Sequence, residues 1–248
     1  MHAILSQPAI ENSNTNAVLV TVLTRTDGQA AGKTFRLDGD SVSKSVVAHT
    51  GQYHAVTVNL DGDTPLAILD AYRRLVESLT PAQSIILGHA PDAGGQPYRI
   101  LPVALLAKRI GVTIDKAGGF HLLDGQLTCA RLKANFRPSR LLLFDYDFVE
   151  RMPAQWLALD EQGRWDLFID ACPEFAGAAR LTIPSGSARV LKPDGQPLKA
   201  GAAAGSHTYI VLNRALSTDE LDATRTRLEV RLWTRGLGFI RPSASGAA

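Results

Sequence analysis

Residues 141–150 read LLLFDYDFVE, an apolar run that ends in two aspartates separated by one residue. The run predicts a buried strand, on which the side chains at positions i and i+2 point to the same face. Asp145 and Asp147 would therefore lie side by side, where two carboxylates repel each other unless a cation neutralises them. Hard divalent ions such as Mg²⁺ or Mn²⁺ do this with oxygen ligands, and a pair of them can hold a transferring phosphoryl group. The plain alternative is that the two aspartates only end the strand and cap the next turn.

Signals on either side of this strand predict a mixed α/β fold, because they alternate between strand and helix patterns. Thr64 and Pro65 are typical of a helix start, and Gly111 is typical of a helix end. Ser217 and Glu220 form a capping box at a later helix. Predicted strands cover residues 17–23, 54–60, 84–87, 140–144, 180–183, 207–212 and 239–241, and predicted helices cover 65–79, 100–110, 153–159 and 217–235, with 165–169 ambiguous.

These elements group into two modules of similar length. We expect an N-terminal α/β module over residues 1–125 and a second module over residues 126–248, which carries the acidic strand. A chain of 248 residues is long enough for either one two-lobed domain or two small ones.

Composition narrows the class of protein without naming a function. Apolar residues make up 45% and charged residues 20%, as is ordinary for a globular protein, and no apolar stretch is long enough to span a membrane. Cys129 and Cys172 are too few for a disulfide framework and fit a reducing compartment, so we expect a cytoplasmic protein. Residues 131–248 hold 16 Lys and Arg against 13 Asp and Glu, a mild positive balance compatible with phosphate-rich ligands.

A serine–glycine turn and a histidine follow the acidic strand. Ser185, Gly186 and Ser187 offer hydroxyls and open backbone N–H groups that suit phosphate oxygens. Arg189 can add charge-assisted hydrogen bonds, and His207 begins the next predicted strand. About twenty residues separate Ser185 from His207, and a hairpin over that stretch, turning near 193–195, would bring its two ends together. The alternative is that the tripeptide only makes a turn and that the histidine is structural.

Together, these segments resemble the archaeo-eukaryotic primase superfamily, and in particular the primase-polymerases of plasmids and phages. The family's second motif reads Ser-x-x-Gly-x-His before an apolar strand, and Ser185, Gly205 and His207 are similar to it. Residues 130–136 (ARLKANF) look like a run that precedes the acidic strand in plasmid and phage primases, and residues 231–240 look like their helix-to-strand segment. The resemblance spans roughly residues 125–246.

The resemblance implies a two-lobed fold, with an N-terminal α/β module and a catalytic module like an RNA-recognition motif. It implies a DNA primase or primase-polymerase that joins nucleotides on a single-stranded DNA template in the cytoplasm of a bacterial host. Nucleoside triphosphates would be the substrates, a helicase domain or subunit a partner, and no membrane is involved. It implies that Asp145, Asp147 and His207 are catalytic and that Asp145 and Asp147 bind Mg²⁺ or Mn²⁺. The nucleotide would be bound by Ser185, Gly186, Ser187, Arg189 and His207. Arg131 and Lys133 would contact the triphosphate or the template.

The family also carries a third metal-binding carboxylate on a later strand. No Asp or Glu follows Glu229, and that residue lies on the predicted last helix. We therefore expect the chain to be cut short before the third carboxylate, as a fragment of a larger primase–helicase. Asp166 or Asp170 would be the substitute ligand otherwise.

Two further classes of protein fit parts of the pattern. Four apolar residues followed by Asp145, Asp147 and Val149 also match haloacid-dehalogenase-like phosphatases, in which Asp145 would be the nucleophile. That class needs a second acidic pair, and no Asp-Asp or Gly-Asp-x-x-x-Asp occurs after residue 147. A replication-initiator module that binds DNA without catalysis is the non-enzymatic alternative. The acidic pair favours an enzyme, because a module that only binds phosphates has no need of clustered carboxylates.

Overall fold

The computed structural model describes residues 17–38, 41–46, 51–146, 152, 154–185, 190–192, 194–197 and 205–237. The chain forms two compact units, residues 1–142 together with 211–217, and residues 143–210 together with 218–248. Residues 126–142 thus belong with the first unit rather than with the second module expected from the sequence. The reason is that the strand Gln126–Ala130 pairs with two strands of the first unit's sheet.

The first unit is built on a six-stranded sheet with two helices. Its elements are β1 (Leu19–Arg25), β2 (Lys33–Asp38), β3 (Ser41–Val46), β4 (Tyr53–Asn59), α1 (Pro65–Ser78), β5 (Gln83–Ile86), β6 (Gly88–His89), β7 (Tyr98–Leu101), α2 (Val103–Ile110), β8 (Phe120–Leu123), β9 (Gln126–Ala130) and β10 (Arg137–Pro138). The sheet order is β5–β1–β4–β7–β9–β8, and all neighbours are antiparallel except β7 and β9. Strands β2 and β3 form a separate antiparallel ribbon, and β6 pairs with β10.

The sheet of the first unit is tightly packed, because apolar residues fill its inner face. Ala55, Tyr98 and Ile100 have no exposed surface and belong to one buried cluster. The start of α1 agrees with the prediction, since the hydroxyl of Thr64 accepts a hydrogen bond from the N–H of Ala67 at 3.2 Å.

The helix predicted over residues 100–110 is partly wrong. Ile100 and Leu101 belong to β7, and α2 begins only after Pro102, which occupies the capping position. A residue before proline prefers extended backbone, and both apolar residues pair with β9. The predicted end is confirmed, because Gly111 adopts a left-handed conformation with φ of 73°.

The second unit carries the acidic strand. Its elements are β11 (Leu141–Tyr146), which starts in the first unit, α3 (Ala154–Leu157), α4 (Glu161–Ala171), β12 (Arg180–Pro184), β13 (Ser206–Val211), which ends in the first unit, and α5 (Thr218–Thr234). The strands form a three-stranded sheet in the order β11–β13–β12. The ambiguous stretch 165–169 is helical, and the predicted strand 239–241 lies outside the described residues.

Helix α4 begins at a well-formed cap and packs on one face of this sheet. The carboxylate of Asp160 accepts a hydrogen bond from the N–H of Gly163 at 2.8 Å. Phe168 from α4 packs against Phe144 of β11 with 4.9 Å between ring centroids. In the part of the chain that the structure describes, no helix has the length and apolar character that a membrane crossing requires. The chain is therefore a mixed α/β protein, as the sequence predicts.

Candidate functional site

A hairpin brings the two ends of the long Ser185–His207 stretch together. Strands β12 and β13 are antiparallel, with Ile183 opposite His207 and Pro184 opposite Ser206. Beyond the last pair, the N–H of Ser185 donates to the carbonyl of Gly205 at 2.8 Å. The hairpin predicted from the sequence is confirmed for these residues, so Ser185 and His207 lie at the same edge of the sheet.

The turn farther along this excursion also agrees with the prediction. Leu191 and Pro197 form an isolated antiparallel bridge, and the N–H of Lys192 donates to the carbonyl of Gln196 at 2.8 Å. Gly195 has φ of 80°, a conformation that favours glycine. The excursion therefore turns back on itself within the described residues 190–192 and 194–197.

The carboxylate of Asp145 and the imidazole of His207 are in contact. Asp145 lies one residue before the end of β11, and His207 lies one residue after the start of β13, the neighbouring strand. The distance from Nε2 of His207 to Oδ1 of Asp145 is 3.2 Å. The sequence predicted that the histidine would lie beside the acidic strand end, and the structure places it there.

This pair is accessible and adds little to stability. The side chains of Asp145 and His207 are 52% and 32% exposed. Exposed ion pairs contribute only about 0–1 kcal/mol, because water screens the attraction and both side chains lose freedom.

Aromatic packing on the opposite face holds β11 in place. Successive side chains on a strand point to opposite faces, so Phe144 and Tyr146 point away from the face that carries Asp145. Phe144 packs edge-on against Trp165 at 6.2 Å between ring centroids, and the guanidinium of Arg164 lies 4.4 Å from the ring centre of Tyr146. Sequence reasoning missed this support, since Arg164 and Trp165 gave no signal beyond an ambiguous apolar stretch.

A buried tyrosine lies next to the imidazole. Tyr209 is 7% exposed, and its ring centroid is 6.4 Å from that of His207, with the two planes nearly perpendicular. Both residues project from the same face of β13, because they are two positions apart. The phenol ring thus limits the orientations that the imidazole can adopt.

The structure describes only part of the predicted nucleotide-binding group. Asp147, Gly186, Ser187 and Arg189 lie outside the described residues. Ser185 is 1% exposed, so its hydroxyl is buried at the base of the hairpin rather than presented to solvent. Of the predicted site residues, the structure therefore brings together Asp145 and His207 and places Ser185 at the same edge.

The two predicted basic contacts lie in the first unit. Arg131 and Lys133 are both exposed, and the guanidinium of Arg131 lies 5.8 Å from the ring centre of Tyr53. Residues 125–144 include four basic residues and no acidic one. This stretch is thus a local source of positive charge.

The asparagine of the ARLKANF run has a structural role that the sequence reading missed. Asn135 is 4% exposed, and its side-chain N–H donates to the carbonyl of Ala130 at 2.7 Å. Its Oδ1 accepts a hydrogen bond from the N–H of Gly119, also at 2.7 Å. Asn135 therefore joins two loops of the first unit, and the consecutive glycines 118 and 119 were the signal of so close an approach.

The donor chemistry at the sheet edge fits one ligand of a hard divalent ion. The carboxylate of Asp145 is an exposed oxygen donor, of the kind that Mg²⁺ and Mn²⁺ take alongside substrate phosphates. Among the described residues, no group of three His, Cys, Asp or Glu side chains is arranged to hold a metal. The substitutes proposed for a third ligand lie on the surface of α4, where Asp166 accepts from Gln162 at 2.6 Å and Asp170 pairs with Arg235 at 3.0 Å.

Comparison with known proteins adds no assignment: the chain matches no family model, no curated protein and no solved structure.

Proposed function

We propose that this chain is a metal-dependent nucleotidyltransferase of the primase-polymerase type, acting on nucleoside triphosphates and a single-stranded DNA template. The observation that carries the proposal is the contact of Asp145 with His207 at an accessible sheet edge. A carboxylate beside an imidazole offers a place for a cation next to a donor for a phosphate oxygen. The resemblance of residues 125–246 to the archaeo-eukaryotic primases supports the same function.

Each residue would have a distinct role. Asp145, with Asp147, would hold Mg²⁺ or Mn²⁺, which supplies charge neutralisation at the attacking and leaving oxygens. The imidazole of His207 would donate a hydrogen bond to the triphosphate and fix its position, as Tyr209 fixes the imidazole. Gly186, Ser187 and Arg189 would contact the same phosphates, whereas the buried Ser185 would hold the base of the hairpin through its bond to Gly205. Positioning and charge supply most of the catalysis in phosphoryl transfer, so none of these residues needs to form a covalent bond.

The template would bind through its phosphates. The exposed Arg131 and Lys133 belong to the acid-free stretch 125–144 and suit a single strand or a triphosphate. Because bound phosphates release counter-ions, affinity for single-stranded DNA should fall steeply as salt rises. A helicase domain or subunit in a bacterial cytoplasm would be the natural partner of such an enzyme.

Nucleotide incorporation on a primed single-stranded template, with Mn²⁺ present, tests the proposal. Asp145→Ala should lower the rate by at least about a hundredfold, because it removes a metal ligand needed in the transition state. His207→Ala should raise KM for the nucleotide by about tenfold, as expected for loss of one charge-assisted hydrogen bond. The control is Asp63→Asn, an exposed carboxylate in a loop of the first unit, which should incorporate at the wild-type rate.

The outcome also separates the alternatives. Incorporation by Asp145→Ala at the wild-type rate would remove the catalytic assignment. Hydrolysis of a simple phosphomonoester that depends on Asp145 would instead favour a phosphatase with that residue as nucleophile. Binding of DNA that survives loss of both Asp145 and Asp147, with no incorporation by the wild type, would favour a non-catalytic module.

A further inference from the structure

A cavity of about 260 Å³ lies in the second unit, between the three-stranded sheet and its helices. Its walls include the neighbours of the two site residues: Phe144 and Tyr146 on either side of Asp145, and Ser206 and Thr208 on either side of His207. Since alternate side chains on a strand point to opposite faces, the cavity lies under the face opposite to the imidazole. Asp145 itself also lines the cavity, which therefore adjoins the proposed nucleotide site through that residue.

The lining of this cavity includes five aromatic rings. Trp156, Trp165 and Phe168 from the helices face Phe144 and Tyr146 from β11. Hydrogen bonding and stacking hold the tryptophans: Nε1 of Trp156 donates to the carbonyl of Leu237 at 3.1 Å, and Trp165 stacks on Phe168 at 5.2 Å. Flat rings packed in this way favour a planar ring as the occupant, through stacked or edge-on contacts.

The sheet side of the cavity carries a pair of hydroxyls. The Oγ1 atoms of Thr182 and Thr208 are 3.0 Å apart, so one hydroxyl donates to the other. Each threonine brings one O–H proton, and this contact uses only one of the two. The pair can therefore donate one further hydrogen bond to an acceptor atom in the cavity.

The charged groups of the lining are Asp145, Glu161 and Arg164, and each already has a contact within the protein. The carboxylate of Asp145 lies 3.2 Å from the imidazole of His207. Arg164 covers the ring of Tyr146 and donates to the carbonyl of Leu159 at 2.6 Å. Glu161 lies 4.0 Å from the guanidinium of Arg180. A charged ligand would have to compete with these contacts, so the cavity favours a neutral one.

From this arrangement we infer that the cavity is a binding site for a neutral, planar heteroaromatic molecule of one or two fused rings, with a ring nitrogen that accepts a hydrogen bond from the Thr182–Thr208 pair. Sites for drug-sized ligands have volumes of roughly 300–1,000 Å³, and this cavity lies just below that range. The inference does not depend on the proposed function, because the aromatic rings and the threonine hydroxyls need neither a metal nor a triphosphate to bind this molecule.

The test uses benzimidazole as the probe, at a pH where it is neutral, and the fluorescence of the chain's tryptophans as the readout. Trp156 and Trp165 line the cavity, whereas Trp233 is 53% exposed on α5. In a Trp233→Phe background, benzimidazole should therefore quench the remaining tryptophans saturably. A small neutral ligand of this kind should have a Kd of about 10 µM to 1 mM.

Two matched pairs of variants decide whether the quenching comes from the cavity. Leu232 lines the cavity, so Leu232→Phe should weaken benzimidazole binding at least about tenfold. Val230 is two residues away and 56% exposed, so Val230→Phe should leave the affinity unchanged. Thr208→Val should weaken binding about fivefold, the value of one hydrogen bond, and Thr226→Val on the surface of α5 should have no effect.

Absence of saturable quenching in the Trp233→Phe protein would overturn the inference. Equal affinities for benzimidazole within either pair of variants would also overturn the inference. If circular dichroism shows that Leu232→Phe does not fold, the comparison of Thr208→Val with Thr226→Val is used alone. Benzimidazole should bind with unchanged affinity in the presence of EDTA and without nucleotide, because the rings and hydroxyls of the cavity need no metal ion. Failure of nucleotide incorporation and failure of this site are therefore distinguishable.

Discussion

The two sheets of this protein differ in how completely they bury their apolar residues. In the six-stranded sheet, Ala55, Tyr98 and Ile100 have no exposed surface, and they belong to one cluster of buried residues. In the three-stranded sheet, Phe144 and Trp165 are only half-buried, and the rings surround a cavity of about 260 Å³. Close packing makes a core stable and leaves no room for a ligand. The second unit thus encloses a cavity among its aromatic rings, whereas these residues of the six-stranded sheet are completely enclosed.

The largest expected effect concerns the packed core of the first unit. Ile100→Ala should lower the free energy of unfolding by about 2–5 kcal/mol, because it removes fully buried methyl groups and leaves a hole. Val56→Ala on β4, which is 45% exposed, should cost less than about 1 kcal/mol. Urea unfolding followed by far-UV circular dichroism measures both.

The same experiment tests whether the two units unfold independently of each other. All three tryptophans, Trp156, Trp165 and Trp233, lie in the second unit. Tryptophan fluorescence should therefore follow that unit, and Ile100→Ala should shift its transition less than the dichroism transition. Equal shifts would mean that the units unfold together and that packing in one stabilises the other.

A buried amide should have the next largest effect. Asn135→Ala removes the partner of the Gly119 N–H and the Ala130 carbonyl, and should cost about 1–3 kcal/mol in thermal or urea unfolding. Lys133→Ala, on an exposed side chain two residues earlier, should change stability by less than about 0.5 kcal/mol. Loss of nucleotide incorporation by Asn135→Ala without loss of stability would instead place this residue in the site.

Alkaline pH should weaken the first unit more than the second. Burial raises the pKa of Cys129 to about 12, and burial likewise raises the pKa of Tyr98 to about 12. Both groups are neutral in the folded unit, so their contribution is complete below the pKa of the unfolded chain and is lost as pH rises toward 12. Each can add a slope of up to about 1.4 kcal/mol per pH unit.

Unfolding in urea at a series of pH values from neutral to strongly alkaline measures this effect. Cys129→Ala should flatten the dependence seen by far-UV circular dichroism. Burial also raises the pKa of Cys172 in the second unit, so the transition seen by tryptophan fluorescence should shift in the same direction with a smaller slope. An equal slope in both signals would contradict the difference between the units.

The smallest expected effect is at a helix start. Thr64→Ala should destabilise the first unit by about 1 kcal/mol, because the N–H of Ala67 loses its acceptor. Thr64→Ser should restore most of that loss, since serine caps equally well. Ser78→Ala in the last turn of α1 is the control, and a loss as large as that of Thr64→Ala would argue against capping as the cause.

The parts of the fold that could be predicted are those with local signals. Thr64 and Pro65 mark the start of α1, and the apolar residues before Asp145 mark β11. The β12–β13 hairpin could be predicted because the pattern of strand, small residues and strand leaves few other ways to pair. The contact of Asp145 with His207 then follows, since adjacent strands bring their ends together.

The parts that could not be predicted depend on residues far apart in the chain. Ile100 and Leu101 fit a helical stripe as well as a strand, and only their pairing with Cys129 and Ala130 decides the matter. The cavity has no sequence signature, because its rings come from three separate elements, β11, α3 and α4. A periodic pattern shows which residues avoid water but not whether they fill the space that they enclose.

The hydrogen bond between Ser185 and Gly205 closes the hairpin at its base, so the number of residues between them does not affect the geometry of the sheet. The chain leaves and re-enters β12 and β13 at adjacent points, so added residues do not alter the register of His207. Doubling the length of such a loop costs only about 0.6 kcal/mol in closure entropy. The tip near Gly195 is thus a suitable place to insert a peptide tag or a fluorescent label, from which approaching DNA could be followed without altering the carboxylate or the imidazole.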